Sequence, residues 1–226
     1  GLGRAPGADQ FTAAALRRSQ SGDSVYSFPN DVEQLLQYFG PLEEQGYVKA
    51  NVAIGKNVPI YILGSSTFSA HLAAELGLPY SFASHFAPTY MEEAISIYRQ
   101  KFKPSEYLDK PYRMVCLNVI ATDTDEEAKT ELSTMQQLFL NIIRGTQKLL
   151  QPPIENFEAT LTPQEKMALQ AQLNMTFLGS KNSVKEQLTR FQEKYDVDEI
   201  MACTYIYDQE KQIRSYEIFK EIVDGK

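Results

Sequence analysis

Between an apolar segment and an amphipathic one, the chain carries Gly64-Ser65-Ser66-Thr67-Phe68-Ser69. Four small hydroxyl side chains lie within five positions of a glycine at the point where a helix would begin. The first N–H groups of a helix have no partner inside it, and its dipole is positive there, so such a turn suits an anionic group such as a phosphate. The same residues would serve equally as a Ser/Thr cap that binds nothing, with Ser66 or Thr67 as the N-cap. The remaining residues of chemical interest are scattered. His85 precedes Phe86-Ala87-Pro88 at an expected strand end, where it is either part of a site or a structural histidine. His71 lies on the helix after the turn and reads as structural or exposed. Cys116 and Cys203 fall in apolar runs and read as buried thiols. With two histidines and no ligand spacing between the cysteines, no metal site is expected. Tyr205, Tyr207 and Asp208 lie at and just beyond the end of the last expected strand, where they would line a site or simply pack. No Ser/His/Asp pattern supports a hydrolase.

The elements that must position these residues alternate. Pro59 to Leu63 is apolar on both faces, as in a buried parallel strand. Leu72, Ala73 and Leu76 recur at helical spacing, and Gly77 with Pro79 stops that helix. A strand from Tyr80 to Ala83 follows. Upstream, Gly1 to Arg4 resembles a strand end, Phe11 to Arg18 a short helix, and Asp31 to Phe39 an amphipathic helix. The stretch from Gly40 to Val58 reads as irregular, with a small hairpin. Downstream, Met91, Ala94, Ile95 and Tyr98 form a helical stripe, and Arg113 to Ala121 is a strand. Thr124 to Glu127 and Thr162 to Glu165 are capping boxes. The first opens a long helix broken at Gly145; its acidic residues suit a solvated first turn. Ser180 caps a helix carrying Val184, Leu188, Phe191 and Tyr195. Glu199 to Ile206 is the last strand and Gln209 to Val223 the last helix. Strand–helix alternation predicts an α/β fold with a parallel sheet. About five principal strands are expected, and residues 1–226 read as one domain.

The 226 residues carry a net charge of −7 and 43% hydrophobic residues, enough for a sizeable core and without the basic patch of a nucleic-acid binder. No apolar run approaches membrane-spanning length. No signal peptide is visible, and cysteine use fits a reducing compartment, so a cytoplasmic location is expected.

The blocks Gly1-Leu2-Gly3-Arg4-Ala5-Pro6-Gly7, Asp9-Gln10, Ala15 to Arg18, Ile62 to Ser66 and Ala83 to Pro88 stand in an order that resembles the bacterial luciferase-like monooxygenases. So do Tyr98-Arg99, Phe102 to Glu106, Gly179-Ser180, Asp198 to Met201, Ile206 to Asp208 and Arg214 to Glu217. Together they resemble the single-chain, alkanal-monooxygenase-like branch over nearly the whole chain. The resemblance implies a TIM-type (β/α)8 barrel of which this chain holds about the last five strands. The first three strands, and a family histidine near the substrate, would precede Gly1. It implies reduced FMN as cofactor, with a deazaflavin as the lesser alternative. It further implies O2 and a small organic molecule as substrates and a separate flavin reductase as electron source. The flavin phosphate would lie on Gly64, Ser65, Ser66 and Ser69, reached by Arg4 and with Arg17 or Arg18 as a second cation. No catalytic residue is assigned. A non-catalytic flavin-binding relative is the alternative function. Uncovered barrel edges predict poor solubility or a homo-oligomer, which a monomer in light scattering would contradict.

Overall fold

The structure is a computed structural model that describes residues 1–4, 11–12, 15, 26–146 and 148–225. Strands and helices alternate as expected. The strands are β1 (Leu2–Gly3), β2 (Ile62–Gly64), β3 (Tyr80–Phe82), β4 (Arg113–Ala121), β5 (Thr176–Gly179) and β6 (Glu199–Cys203). The helices that carry the argument are α1 (Phe28–Phe39), α2 (Thr67–Leu76), α3 (Met91–Lys101) and α4 (Asp125–Ile143). They are followed by α5 (Pro163–Gln172), α6 (Lys181–Tyr195) and α7 (Gln209–Val223). The expected helix from Phe11 to Arg18 lies largely outside the described residues, as do Arg17 and Arg18. The chain gathers into two units, Gly1–Ser81 with Ile95–Tyr112, and Phe82–Ala94 with Arg113–Lys226.

In the first unit β1 runs parallel to β2, with Leu2 opposite Ile62 and Gly3 opposite Leu63, and β3 is the next strand beyond β2. Helix α2 buries Ala70, Ala73 and Ala74, whose small side chains allow close packing. It ends at Gly77 in the left-handed conformation (φ 63°), which glycine adopts without steric cost. Buried Tyr98 braces the chain beyond this helix end: its hydroxyl donates to the Leu78 carbonyl at 2.8 Å and accepts from the Tyr112 N–H at 3.1 Å. Helix α1 starts three residues earlier than the Asp31 start read from the sequence, because Pro29 occupies a first-turn position. The expected hairpin between Gly40 and Val58 is instead a series of turns. Buried Gln45 organises them, donating to the Tyr38 carbonyl at 2.8 Å and accepting from the Ala50 N–H at 2.8 Å.

In the second unit β4 is the central strand, with eight of its nine residues buried. It pairs in parallel with two strands along different parts of its length: β6 opposite Met114–Asn118 and β5 opposite Asn118–Ala121. Strand β5 is a sixth strand absent from the five read in the sequence. On the opposite edge β6 stops at Cys203 and not at Ile206, because side chains take over there: the Thr204 hydroxyl donates to the Val119 carbonyl at 2.8 Å, and the Ser215 hydroxyl accepts from the Ala121 N–H at 3.0 Å. A fork joins the first ends of β4 and β6. Arg113 donates from Nε to Asp198 Oδ2 at 2.8 Å and from Nη2 to Oδ1 at 3.2 Å, and its backbone N–H reaches Oδ2 at 2.7 Å.

Helix α5 begins in a complete capping box between Thr162 and Glu165. At α4 the Thr124 hydroxyl accepts from the Glu127 N–H at 3.2 Å, while the Glu127 carboxylate turns to Lys211 at 2.8 Å. Ser180 stands at the N-cap of α6, yet its hydroxyl makes no capping bond to that helix. Its N–H donates to Asp125 Oδ1 at 2.6 Å. That bond, with those of the Ser183 and Ser180 side chains, holds the Asp125 carboxyl below its ordinary value. A carboxyl depressed in the folded state stabilises the fold above its unfolded pKa of about 3.9 and ceases to do so as pH falls through the folded value. Asp125→Asn should therefore melt below the parent at neutral pH, with the difference closing below about pH 4. Thermal melts across this range measure it; a difference independent of pH would count against the assignment.

Candidate functional site

The turn after β2 is built by close approach. A Cβ at Gly64 would lie 2.3 Å from Ser69 Oγ and 2.5 Å from Ser69 Cβ, so the strand end and the first turn of α2 meet only because residue 64 has no side chain. Ser69 is 3% exposed, which leaves it little room to yield. Gly64→Ala should destabilise the protein by about 1–3 kcal/mol, the usual cost of overpacking. Denaturant midpoints test this, and an unchanged midpoint would show that the turn relaxes freely.

Ser66 has the extended backbone of an N-cap (φ −143°, ψ 169°), but its hydroxyl makes no capping bond to α2. The side-chain cap offered by the sequence is thus absent, and the helix start is left to other partners. The Ser66 carbonyl accepts from the Tyr80 hydroxyl at 3.3 Å. Tyr80 is fully buried, and burial pushes its hydroxyl pKa up, so it remains a neutral donor. Ser65, Ser66 and Thr67 are half-buried at the turn. Arg4 comes to the same turn from β1. Its guanidinium carbon lies 4.0 Å from the centre of the Phe68 ring, in cation–π geometry. Arg4, Gly64, Ser65, Ser66 and Ser69, separated by some sixty residues of chain, are therefore gathered at one helix start. Phe68 and Tyr80 complete the arrangement. Sequence reasoning missed both, since an aromatic beside a hydroxyl turn carries no local sign of what it will support.

The second unit holds another convergence. The Cys116 and Cys203 sulfurs are 3.3 Å apart as free thiols. A ring nitrogen of His85 lies with them inside a set of ligand atoms no more than 4.8 Å from one another. Asn118 donates to the His85 carbonyl at 2.6 Å, and Ser84 donates to the Cys116 carbonyl at 2.5 Å. Burial lowers the His85 pKa and favours neutral imidazole. Burial, then the contact with Cys203, raises the Cys116 pKa. Tyr205 is raised chiefly by burial and packs edge-on to Phe139. Tyr207 is exposed, and Asp208 caps α7 by accepting from the Lys211 N–H at 3.0 Å. His71 lies exposed on α2.

The sequence model of the luciferase-like monooxygenases matches residues 16–198, and the chain belongs to that family. A luciferase-like monooxygenase of Escherichia coli (strain K12) is 42% identical over 222 residues, covering 98% of this chain and 66% of the relative. The Bacillus subtilis (strain 168) protein YddN, itself uncharacterised, is 43% identical over 223 residues, covering 99% and 66%. The chain thus spans about two thirds of the length of these relatives, 66%. The crystal structure of apo-MsnO8 superposes with a TM-score of 0.83 at 25% identity, covering 98% of this chain and 67% of that one. The oxygenating constituent of 3,6-diketocamphane monooxygenase, solved with FMN, shares the fold with a TM-score of 0.64 at 16% identity, covering 98% and 69%. The alternating, parallel α/β arrangement is accordingly that of a partial TIM-type (β/α) barrel of the luciferase-like kind. Among the described residues no helix is long and apolar enough to cross a membrane.

Proposed function

We propose that this chain anchors the cofactor of a flavin-dependent monooxygenase that uses reduced FMN and O2 to oxidise a small organic substrate. In this reading both units are parts of one luciferase-like domain. The observation that carries it is the meeting of Arg4 with the first turn of α2, a helix start that Ser66 does not cap.

These residues fit a phosphate monoester. At neutral pH such a group carries a charge of about −1.5 to −2 and three acceptor oxygens. The Arg4 guanidinium supplies charge-assisted hydrogen bonds in a planar fork. The hydroxyls of Ser65 and Ser66 and the first N–H groups of α2 supply the rest. Gly64 and Ser69 set the approach of strand to helix, and the buried alanine face of α2 keeps the anchor rigid.

Reduced FMN, when bound, supplies the electrons for oxygen chemistry. This chain's contribution is binding and orientation: a remote phosphate anchor fixes the reactive ring without touching it, which converts binding energy into position. A separate flavin reductase is the partner this chemistry calls for. The resemblance to the alkanal-monooxygenase-like branch favours FMN over a deazaflavin.

The test is a titration of the purified protein with FMN and with riboflavin, followed by flavin fluorescence. FMN should bind at least about tenfold more tightly, since riboflavin lacks only the phosphate and its charge-assisted bonds. Equal dissociation constants would remove the anchor.

A further inference from the structure

We propose that His85, Cys116 and Cys203 form a three-ligand site for a thiophilic d10 cation, with Zn2+ as the ion of choice. Sequence spacing hides the group, since the cysteines are 87 residues apart. Strand register creates it. Asn118 and Cys203 are directly opposed in the β4–β6 ladder, and Cys116 lies two residues before Asn118 on the same face of β4. The Arg113–Asp198 fork fixes this register from the other end of the pair.

The sulfur separation suits a shared metal. Two thiolates on one tetrahedral zinc, each with Zn–S near 2.3 Å, stand about 3.8 Å apart. The observed 3.3 Å separation would need to widen by about half an ångström to reach this. A disulfide, with an S–S bond near 2.05 Å, would require the sulfurs to close by more than twice that amount. The surroundings also ask for a partner. His85 Nδ1 and Asn118 Oδ1 are both buried without a hydrogen bond. A cation held by one imidazole nitrogen and two thiolates would have a fourth position for the Asn118 oxygen or for water. Imidazole with thiolate is a donor set that selects Zn2+ or Cu+ over Mg2+ or Ca2+. Binding balances as one Zn2+ taken up and two thiol protons released to solvent.

The experiment uses metal-free, fully reduced protein. One equivalent of Zn2+ should protect both thiols, slowing their reaction with a chromogenic disulfide reagent at least tenfold. Co2+ should give thiolate-to-cobalt charge-transfer absorption with tetrahedral d–d bands. Cu+ is titrated anaerobically in a parallel arm, and one-to-one binding of either d10 ion supports the site. His85→Gln and Cys203→Ser should each weaken Zn2+ binding by roughly a hundredfold, about one ligand's share of a structural zinc site. The protection measurement needs no variant and so does not depend on their folding. Failure of the unaltered protein to take up either ion would overturn the proposal. So would uptake undiminished in Cys116→Ser/Cys203→Ser, or a Cys116–Cys203 disulfide that forms in air despite saturating Zn2+. None of these readouts involves flavin, so the outcome is separate from that of the cofactor reading.

Discussion

If the proposed phosphate anchor holds, Arg4→Ala should lower FMN affinity by about 10- to 150-fold and leave riboflavin affinity within about twofold. The range follows from about 1.5–3 kcal/mol for hydrogen bonds to a charged group. Arg4 is half-buried at an open turn, so screening at physiological salt places the result toward the lower end. Riboflavin is the control that separates the two roles of this side chain. If Arg4 mainly steadies Phe68 through its ring contact, removing it would disturb the turn and weaken both flavins together. Arg4→Lys should fall between, since it keeps the charge but loses the fork. Ser66→Ala should add to the FMN loss at no cost to α2, because its hydroxyl makes no capping bond there. Fluorescence titrations at two salt concentrations measure all of these.

Lys211→Met should lower stability by about 2–3 kcal/mol, or roughly 5–10 °C in melting temperature for a chain of this size. Glu131 on α4 is 2% exposed, and its Oε1 receives Lys211 Nζ from α7 at 2.7 Å. Its Oε2 is buried without a hydrogen bond, so among the described residues Lys211 is the cation that compensates it. Losing that cation leaves a buried charge uncompensated, at a cost of about 3–5 kcal/mol when both partners are fully buried. The Lys211 side chain is 45% exposed, hence the lower figure. Glu131→Leu combined with Lys211→Met should recover most of the loss, because an apolar pair of similar volume needs no compensation. Denaturant melts of the two variants check this. A double variant as unstable as the single would mean that Lys211 acts through packing alone.

Much of the fold was legible because burial and punctuation agreed locally. Arg113 to Ala121 reads as one strand and is one, being apolar through nearly its whole length. Gln209 to Val223 is bounded as read, since Asp208 caps it by accepting from the Lys211 N–H. Gly145 ends α4 as expected, with φ at 66°. The misses are non-local. Nothing within Thr176–Gly179 marks so short a segment as a strand; its register against Asn118–Ala121 does. The end of β6 is set by the side chains of Thr204 and Ser215, which take the next groups along that edge of β4. Glu127 completes a capping-box sequence yet spends its carboxylate on Lys211, more than eighty residues away.

The site divides along the same line. The hydroxyl turn and Gly64 were legible from residue type, because only a residue without a Cβ permits that approach. Arg4 entered through family resemblance, and its cation–π contact with Phe68 gives it a physical place at the turn. The thiol–imidazole group was invisible, because residues 85, 116 and 203 become neighbours only through strand register.

The most direct measurement of the central claim is the phosphorus resonance of FMN bound to the protein, tracked from pH 5 to pH 8. Free phosphate monoesters lose their second proton near pH 6, and the chemical shift moves with that step. At a helix start beside Arg4 the dianion is favoured, so the bound resonance should stay at its dianion position across the range. In Arg4→Ala the titration should return toward about pH 6. A bound phosphate that titrates like free FMN in the unaltered protein would contradict the account, since the group would then be held by neither the helix nor the arginine.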